Sequence, residues 1–120
     1  MRHTTLYRPV GKAELELVEQ SGWLQFPPRL SHQPIFYAIL DEGYAIEIAR
    51  DWDAQDEASG FEGHVLCFEV ESNFLDGFML ARAGGKTRRE YWIPAEYLEM
   101  FNSHICGKIT VIASFGKEDQ

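Results

Sequence analysis

The chain has 120 residues, a formal charge of −8, and 45% hydrophobic and 13% aromatic residues. That is the size of one domain with material for one core, and no uninterrupted apolar run approaches the length of a membrane span. The acidity disfavours generic binding to nucleic acid or anionic membranes, and Met1 to Thr5 lacks the apolar stretch of a signal peptide, so a cytoplasmic location is expected.

Thr4 to Arg8 is β-prone and stops at Pro9, which predicts a first strand. A helix follows over 12–21, with Leu15 and Val18 on one face and Gly22 placed to end it. Pro27, Pro28 and Pro34 make 25–34 a structured loop. Ile35 to Leu40 is an apolar run expected as a buried strand. Asp41 is a good N-cap for a helix in which Tyr44, Ile48 and Trp52 recur every four residues, with Ala45 and Ala49 alongside. The polar segment 53–60 is expected as a surface loop.

Gly63 to Glu71 gives the clearest strand pattern, with His64, Leu66, Phe68 and Val70 on one face and Val65 and Cys67 on the other. Asn73 to Gly77 suits a short turn or helix. Phe78–Arg82 and Thr87–Ile93 flank Ala83-Gly84-Gly85-Lys86, a hairpin by residue type and loop length. Pro94 opens a helix to about Asn102, and Gly107 precedes a final strand, 108–115, with a frayed tail after Gly116. The order β-α-β-α-β-β-β-α-β predicts a single α+β domain over 1–120.

Charge is unevenly placed. Between Asp41 and Glu62 there are eight acids and one base, Arg50; between Arg82 and Arg89 there are four bases and no acid. The acidic part is expected to be solvated surface. Asp51, Asp53, Gln55 and Glu62 follow calcium-loop spacing, but Asp56 stands where that loop needs glycine. The four histidines have no ligand spacing, and Cys67 and Cys106 belong to no metal or redox motif, so no metal is expected and the thiols are expected to be reduced. The serines lack a nucleophile-elbow context.

Arg8, Tyr37, Tyr44 and Glu90 are the residues to which chemistry can be assigned. Arg8 lies where an apolar strand yields to Pro9; its planar fork could form a rim ion pair or hold a phosphate or carboxylate. Glu90 occupies a strand, where Glu is not favoured. Alternation sets Arg88, Glu90 and Trp92 on one face and Arg89, Tyr91 and Ile93 on the other. Such a carboxylate could be an ion-paired edge residue, or could meet a sugar hydroxyl or a developing cation.

Several stretches carry a resemblance: Leu6-Tyr7-Arg8-Pro9-Val10-Gly11, Phe26-Pro27-Pro28-Arg29-Leu30, Gln33-Pro34-Ile35-Phe36-Tyr37, Ile48-Ala49-Arg50-Asp51-Trp52 and Glu90-Tyr91-Trp92-Ile93-Pro94-Ala95-Glu96. Over nearly its whole length the chain resembles short bacterial proteins labelled "ADP-ribosylation/J-crystallin", and its layout resembles the ADP-ribosyltransferase-like fold with its split sheet. The second half of that label points to all-helical, magnesium-dependent glycohydrolases, which a strand-rich chain does not resemble. The resemblance to ADP-ribosyltransferases implies NAD as substrate, Arg8 as the NAD anchor, Tyr37 or Tyr44 as the stacking aromatic, and Glu90 as the catalytic carboxylate. Arg88, two before the Glu, stands where enzymes modifying Arg or Asn often carry Gln or Glu; it implies an anionic acceptor and places Arg88 at the NAD site.

This sequence carries Ile35-Phe36-Tyr37 where the Arg-containing class has Ser-Thr-Ser, and Arg8 where the Tyr-containing class has His. Those departures motivate the alternative, a non-catalytic interaction module that keeps the fold. Size and acidity alone suggest a third reading, a small acidic partner of a basic protein.

Overall fold

The computed structural model describes residues 2–118. The expected element order holds: β1 (His3–Val10), α1 (Lys12–Gln20), β2 (Ile35–Ile39), α2 (Glu42–Asp51), β3 (Glu62–Glu71), a one-turn α3 (Ser72–Leu75), β4 (Met79–Arg82), β5 (Arg89–Pro94), α4 (Leu98–Ser103) and β6 (Ile105–Gly116). The six strands form one antiparallel sheet in the order β4-β5-β2-β1-β3-β6. The architecture is therefore α+β. No helix among the described residues is long and apolar enough to cross a membrane.

Strand alternation divides the apolar residues between two faces. Leu6 and Val10 of β1, Phe36 and Ala38 of β2, Phe68 and Val70 of β3 and Ile93 of β5 build the larger core with Val18 of α1 and Phe101 of α4. Phe26, from the proline-rich loop, inserts into it, its ring centroid 5.0 Å from Phe36 and 4.9 Å from Phe68. That loop is fixed because Asn102 accepts from the Phe26 N–H at 2.9 Å and donates to its carbonyl at 3.0 Å. The opposite face is covered by α2, whose Ala45 and Ala49 pack with Ile39 and Val65.

Several boundaries differ from expectation for identifiable reasons. β1 does not stop at Pro9 but runs to Val10, because β3 pairs with it along its whole length. Helix α1 ends as foreseen: Gly22 at φ 81° lets its N–H reach Glu19 O and the Trp23 N–H reach Val18 O. In α2 the alanines, not the large residues, face the sheet, and Trp52 is 70% exposed. The helix lies so close that a Cβ on Gly63 would sit 1.9 Å from the Ala49 carbonyl oxygen.

Segment 53–60 is not a plain surface loop but two 3-10 turns, Asp53–Gln55 and Glu57–Ser59, with Ala54 buried. The hairpin loop spans 83–88, because Arg82 and Arg89 are the last paired residues. Gly107, at φ 77°, lies inside β6 and accommodates a register shift, so that strand begins at Ile105. The expected frayed tail extends to residues 119–120, which lie outside the described residues.

Candidate functional site

The site is organised by the place where β1 and β2 part. They pair at Tyr7 and Ile39. The Leu40 N–H donates to Arg89 O, so strand alternation turns the backbone groups of Ile39 and Tyr37 towards β1. Continuing that register would set Pro9 opposite Tyr37, and Pro9 has no N–H to give. Arg8 supplies the missing bond: its Nη1 donates to the Tyr37 carbonyl at 3.0 Å. The split thus follows from one proline and one arginine adjacent in sequence.

Arg8 is buried, on the face of the larger core, with its guanidinium carbon 4.3 Å from the Phe36 ring centroid. Its other two nitrogens donate to Glu14 of α1, Nε to Oε2 at 2.6 Å and Nη2 to Oε1 at 3.0 Å. A second arginine, Arg29 of the proline-rich loop, approaches Glu14 Oε1 with Nη1 at 3.9 Å. Burial foremost, and then the charge of Arg8, lower the Arg29 pKa, while Glu14 and the Tyr37 phenol oppose that shift. Asp53 completes the cluster. Burial pushes its carboxyl up to about 6, against the pull of Arg8 and with a further push from Glu14.

The opposite face holds the carboxylate. Tyr7, Ile39 and Glu90 lie in one row across β1, β2 and β5, so Glu90 points away from the face that Arg8 occupies. Glu90 is 8% exposed; its Oε1 accepts from the Trp92 indole N–H at 3.1 Å, and no donor among the described residues reaches Oε2. Trp92 and Tyr37, directly paired across β5 and β2, stand edge-to-face with centroids 6.1 Å apart and are each more than a third exposed. Tyr44 of α2 feels Glu90: burial first, then that negative charge, raise its phenol pKa, with Arg88 opposing.

The basic hairpin and the acidic helix prove to be partners. Arg88 bonds Glu47 at 2.9 Å and lies over the Tyr44 ring, and Arg89 forks onto Asp41 at 2.8 and 3.1 Å. Asp41 therefore does not cap α2 through its side chain; it accepts from Arg89, including its backbone N–H, and those bonds hold its carboxyl below the usual carboxylate range. The acidic segment is in this part a set of counter-ions and not free solvated surface. A cavity of about 430 Å³ opens here, lined by Tyr7, Asp41, Glu42, Tyr44, Glu47 and Arg88 among others. The calcium spacing does not converge: Asp51 pairs with Arg50, and Glu62 with His64. Among the described residues no cluster of three or more His, Cys, Asp or Glu is arranged to hold a metal ion.

The structure thus gathers Tyr37, Tyr44, Arg88 and Glu90 on one face and sets Arg8 on the other. A cleft running from Arg8 to Glu90 is not formed; the sheet stands between them, and each side-chain nitrogen of Arg8 already has a partner. Sequence reasoning missed Glu14 and Asp53 as members of the buried cluster, and Arg29 as a site residue. The Phe26-Pro27-Pro28-Arg29-Leu30 stretch was the only signal, since an arginine between prolines and apolar residues in a structured loop has little freedom to reach solvent. The chain finds no match among protein-family models, curated proteins or solved structures.

Proposed function

We propose that this protein is ADP-ribosyltransferase-like in function as well as in layout, taking a NAD-type dinucleotide on the Tyr37–Trp92–Glu90 face. The observation that carries this reading is Glu90: a buried carboxylate with one oxygen held by an indole N–H and the other without a donor among the described residues, beside the partly exposed Trp92–Tyr37 pair. A carboxylate in that state can accept a ribose hydroxyl and stabilise positive charge on a neighbouring sugar carbon. Tyr37 and Trp92 offer flat surfaces for a nicotinamide. In the reaction the bond from ribose C1′ to the nicotinamide nitrogen breaks, its electron pair leaves with nicotinamide, and the acceptor's nucleophile takes the ribosyl carbon and loses its proton. Arg88, partly neutralised by Glu47, sits where an anionic acceptor would meet it.

The test is calorimetry with NAD together with nicotinamide release. The reading requires millimolar or tighter NAD binding and a release rate that falls at least about 100-fold in Glu90→Gln, as for loss of one electrostatic contact in the transition state. Absence of NAD binding in the millimolar range, with release at the buffer background, refutes it.

A second reading is favoured by one specific observation, the engagement of all three side-chain nitrogens of Arg8 by Glu14 and the Tyr37 carbonyl. That leaves the anchor implied by the family resemblance occupied and suits a non-catalytic interaction module on the same fold. Its signature is a partner or nucleotide bound with no bond broken, and binding that survives Glu90→Gln.

A further inference from the structure

The Arg29 guanidinium is largely shielded from solvent and only loosely paired. Its side chain is 12% exposed, and its Nε, out of reach of solvent, has no hydrogen-bond acceptor among the described residues. The nearest carboxylate is Glu14, and both of its oxygens are already held by Arg8 at 2.6 and 3.0 Å, whereas Arg29 stands off at 3.9 Å. Asp53, the other carboxylate of the cluster, interacts with Arg8 and makes no hydrogen bond or ion pair with Arg29 among the described residues. An unpaired buried donor is costly, and a native structure that keeps one calls for an explanation.

Arg29 also forms a wall of a cavity of about 420 Å³ between α1 and the proline-rich loop. Glu14, Gln33 and Ser59 supply its polar groups, and Leu17, Leu30 and Pro28 its apolar ones. Gln33 uses its Oε1 to accept from the Leu30 N–H at 3.1 Å, and its Nε2 has no acceptor among the described residues. The other acid on the cavity, Asp56, is occupied as the cap of a 3-10 turn, accepting from Ala58 N at 3.2 Å.

We infer that Arg29 is an oxyanion-binding residue, its Nη groups holding a phosphoryl or carboxylate group that enters this cavity. The planar fork of Arg suits two oxygens of such a group, and Gln33 offers a further donor beside it. This goes beyond the reading proposed above and does not rest on it, because the cavity lies on the Arg8 face of the sheet and Glu90 on the other.

The experiment is a titration of the intact chain with sodium pyrophosphate and, separately, sodium acetate, at constant ionic strength with chloride as control. The Arg29 Nε–Hε resonance is followed by NMR and affinity by calorimetry. Saturable movement of that resonance with pyrophosphate but not acetate assigns a phosphoryl group; movement with acetate assigns a carboxylate. Arg29→Lys is expected to weaken binding about tenfold, the loss of one charge-assisted hydrogen bond. Arg29→Met is expected to melt at a higher temperature than wild type without anion, and to lose the rise in melting temperature that the anion gives wild type. A resonance that neither anion moves beyond the chloride control overturns the inference, as does equal affinity in Arg29→Lys. Pyrophosphate binding at Arg29 without any nicotinamide release would leave this inference standing and refute the transfer reading. Nicotinamide release with no anion response at Arg29 would do the reverse.

Discussion

Glu14 is the group on which the charge cluster around Arg8 depends most, because a single carboxylate faces two guanidinium groups. In Glu14→Gln the side chain keeps its shape and loses its charge, leaving Arg8 and Arg29 mutually repelling with neither making an ion pair among the described residues. Breaking a buried pair by removing one partner costs about 3–5 kcal/mol. Glu14 is about one-fifth exposed, so water recovers part of that penalty, and about 3 kcal/mol is the working figure. For a chain of this size each kcal/mol moves the melting temperature by roughly 3–5 °C, so a fall of about 10–15 °C is expected.

Arg8→Met should cost less, about 1–2 kcal/mol. The Tyr37 carbonyl loses its donor, but Glu14 can turn to Arg29, and the thioether side chain still covers Phe36. In the double variant the two effects should couple by about 1–2 kcal/mol, because the neutral amide that replaces the Glu14 carboxylate then faces one cation and not two. Urea denaturation of the four proteins, with slopes compared to establish that the same surface unfolds, gives the cycle. Glu14→Gln costing no more than Arg8→Met, or less than about 0.5 kcal/mol in itself, would refute the balance of charges on which the Arg29 assignment also rests.

Asp53 supplies a pH-dependent expectation. Its carboxyl titrates at about 6 in the fold against an ordinary value of 3.8. Between those values the native state holds a proton that the unfolded chain has released, so stability falls as pH rises through the window and returns on acidification towards about 4. The shift corresponds to about 3 kcal/mol, which the partial exposure of Asp53 reduces to about 1–2 kcal/mol. Asp53→Asn should stabilise the protein by that amount at pH 7, leave it nearly unchanged at pH 4, and flatten the profile of melting temperature between them. Gly63→Ala should be destabilising by at least the roughly 1–3 kcal/mol of an overpacked core, because the obstacle is the Ala49 backbone and not a side chain that can turn away. Since α2 must lift, the Tyr44 and Arg88 resonances should move with the loss of stability; a Gly63→Ala variant as stable as wild type would contradict the close approach.

Most elements were legible because local chemistry specified them. A continuous apolar run gave β2 and a period-2 pattern gave β3, and Gly22 ended α1 as its left-handed conformation requires. The Gly84-Gly85 pair marked the hairpin. Where sequence reasoning erred, a distant group decided the matter. Pro9 was expected to stop β1, but the strand continues under the ladder with β3. Asp41 had the identity of a helix cap, yet the Arg89 guanidinium and N–H outcompete the helix for its carboxylate. Tyr44, Ile48 and Trp52 had the spacing of a buried stripe, but Gly63 draws the alanines of α2 down onto the sheet and leaves Trp52 outside.

The candidate site divides in the same way. Residue types in the sequence were enough to single out Glu90, Tyr37, Tyr44 and Arg88, because a carboxylate in an aromatic strand and a basic turn against an acidic background are local oddities. The face on which each lies followed from alternation within one strand. How faces on different strands relate depends on register, which is set by pairing between residues far apart in sequence. The Tyr7–Ile39–Glu90 row therefore decided that Arg8 and Glu90 lie on opposite sides, and that Arg8 turns its charge to Glu14. Which arginine is left without a counter-charge is a property of the packed structure: burial and the prior claim of Arg8 on Glu14 make it Arg29, and neither is written in the residues around it.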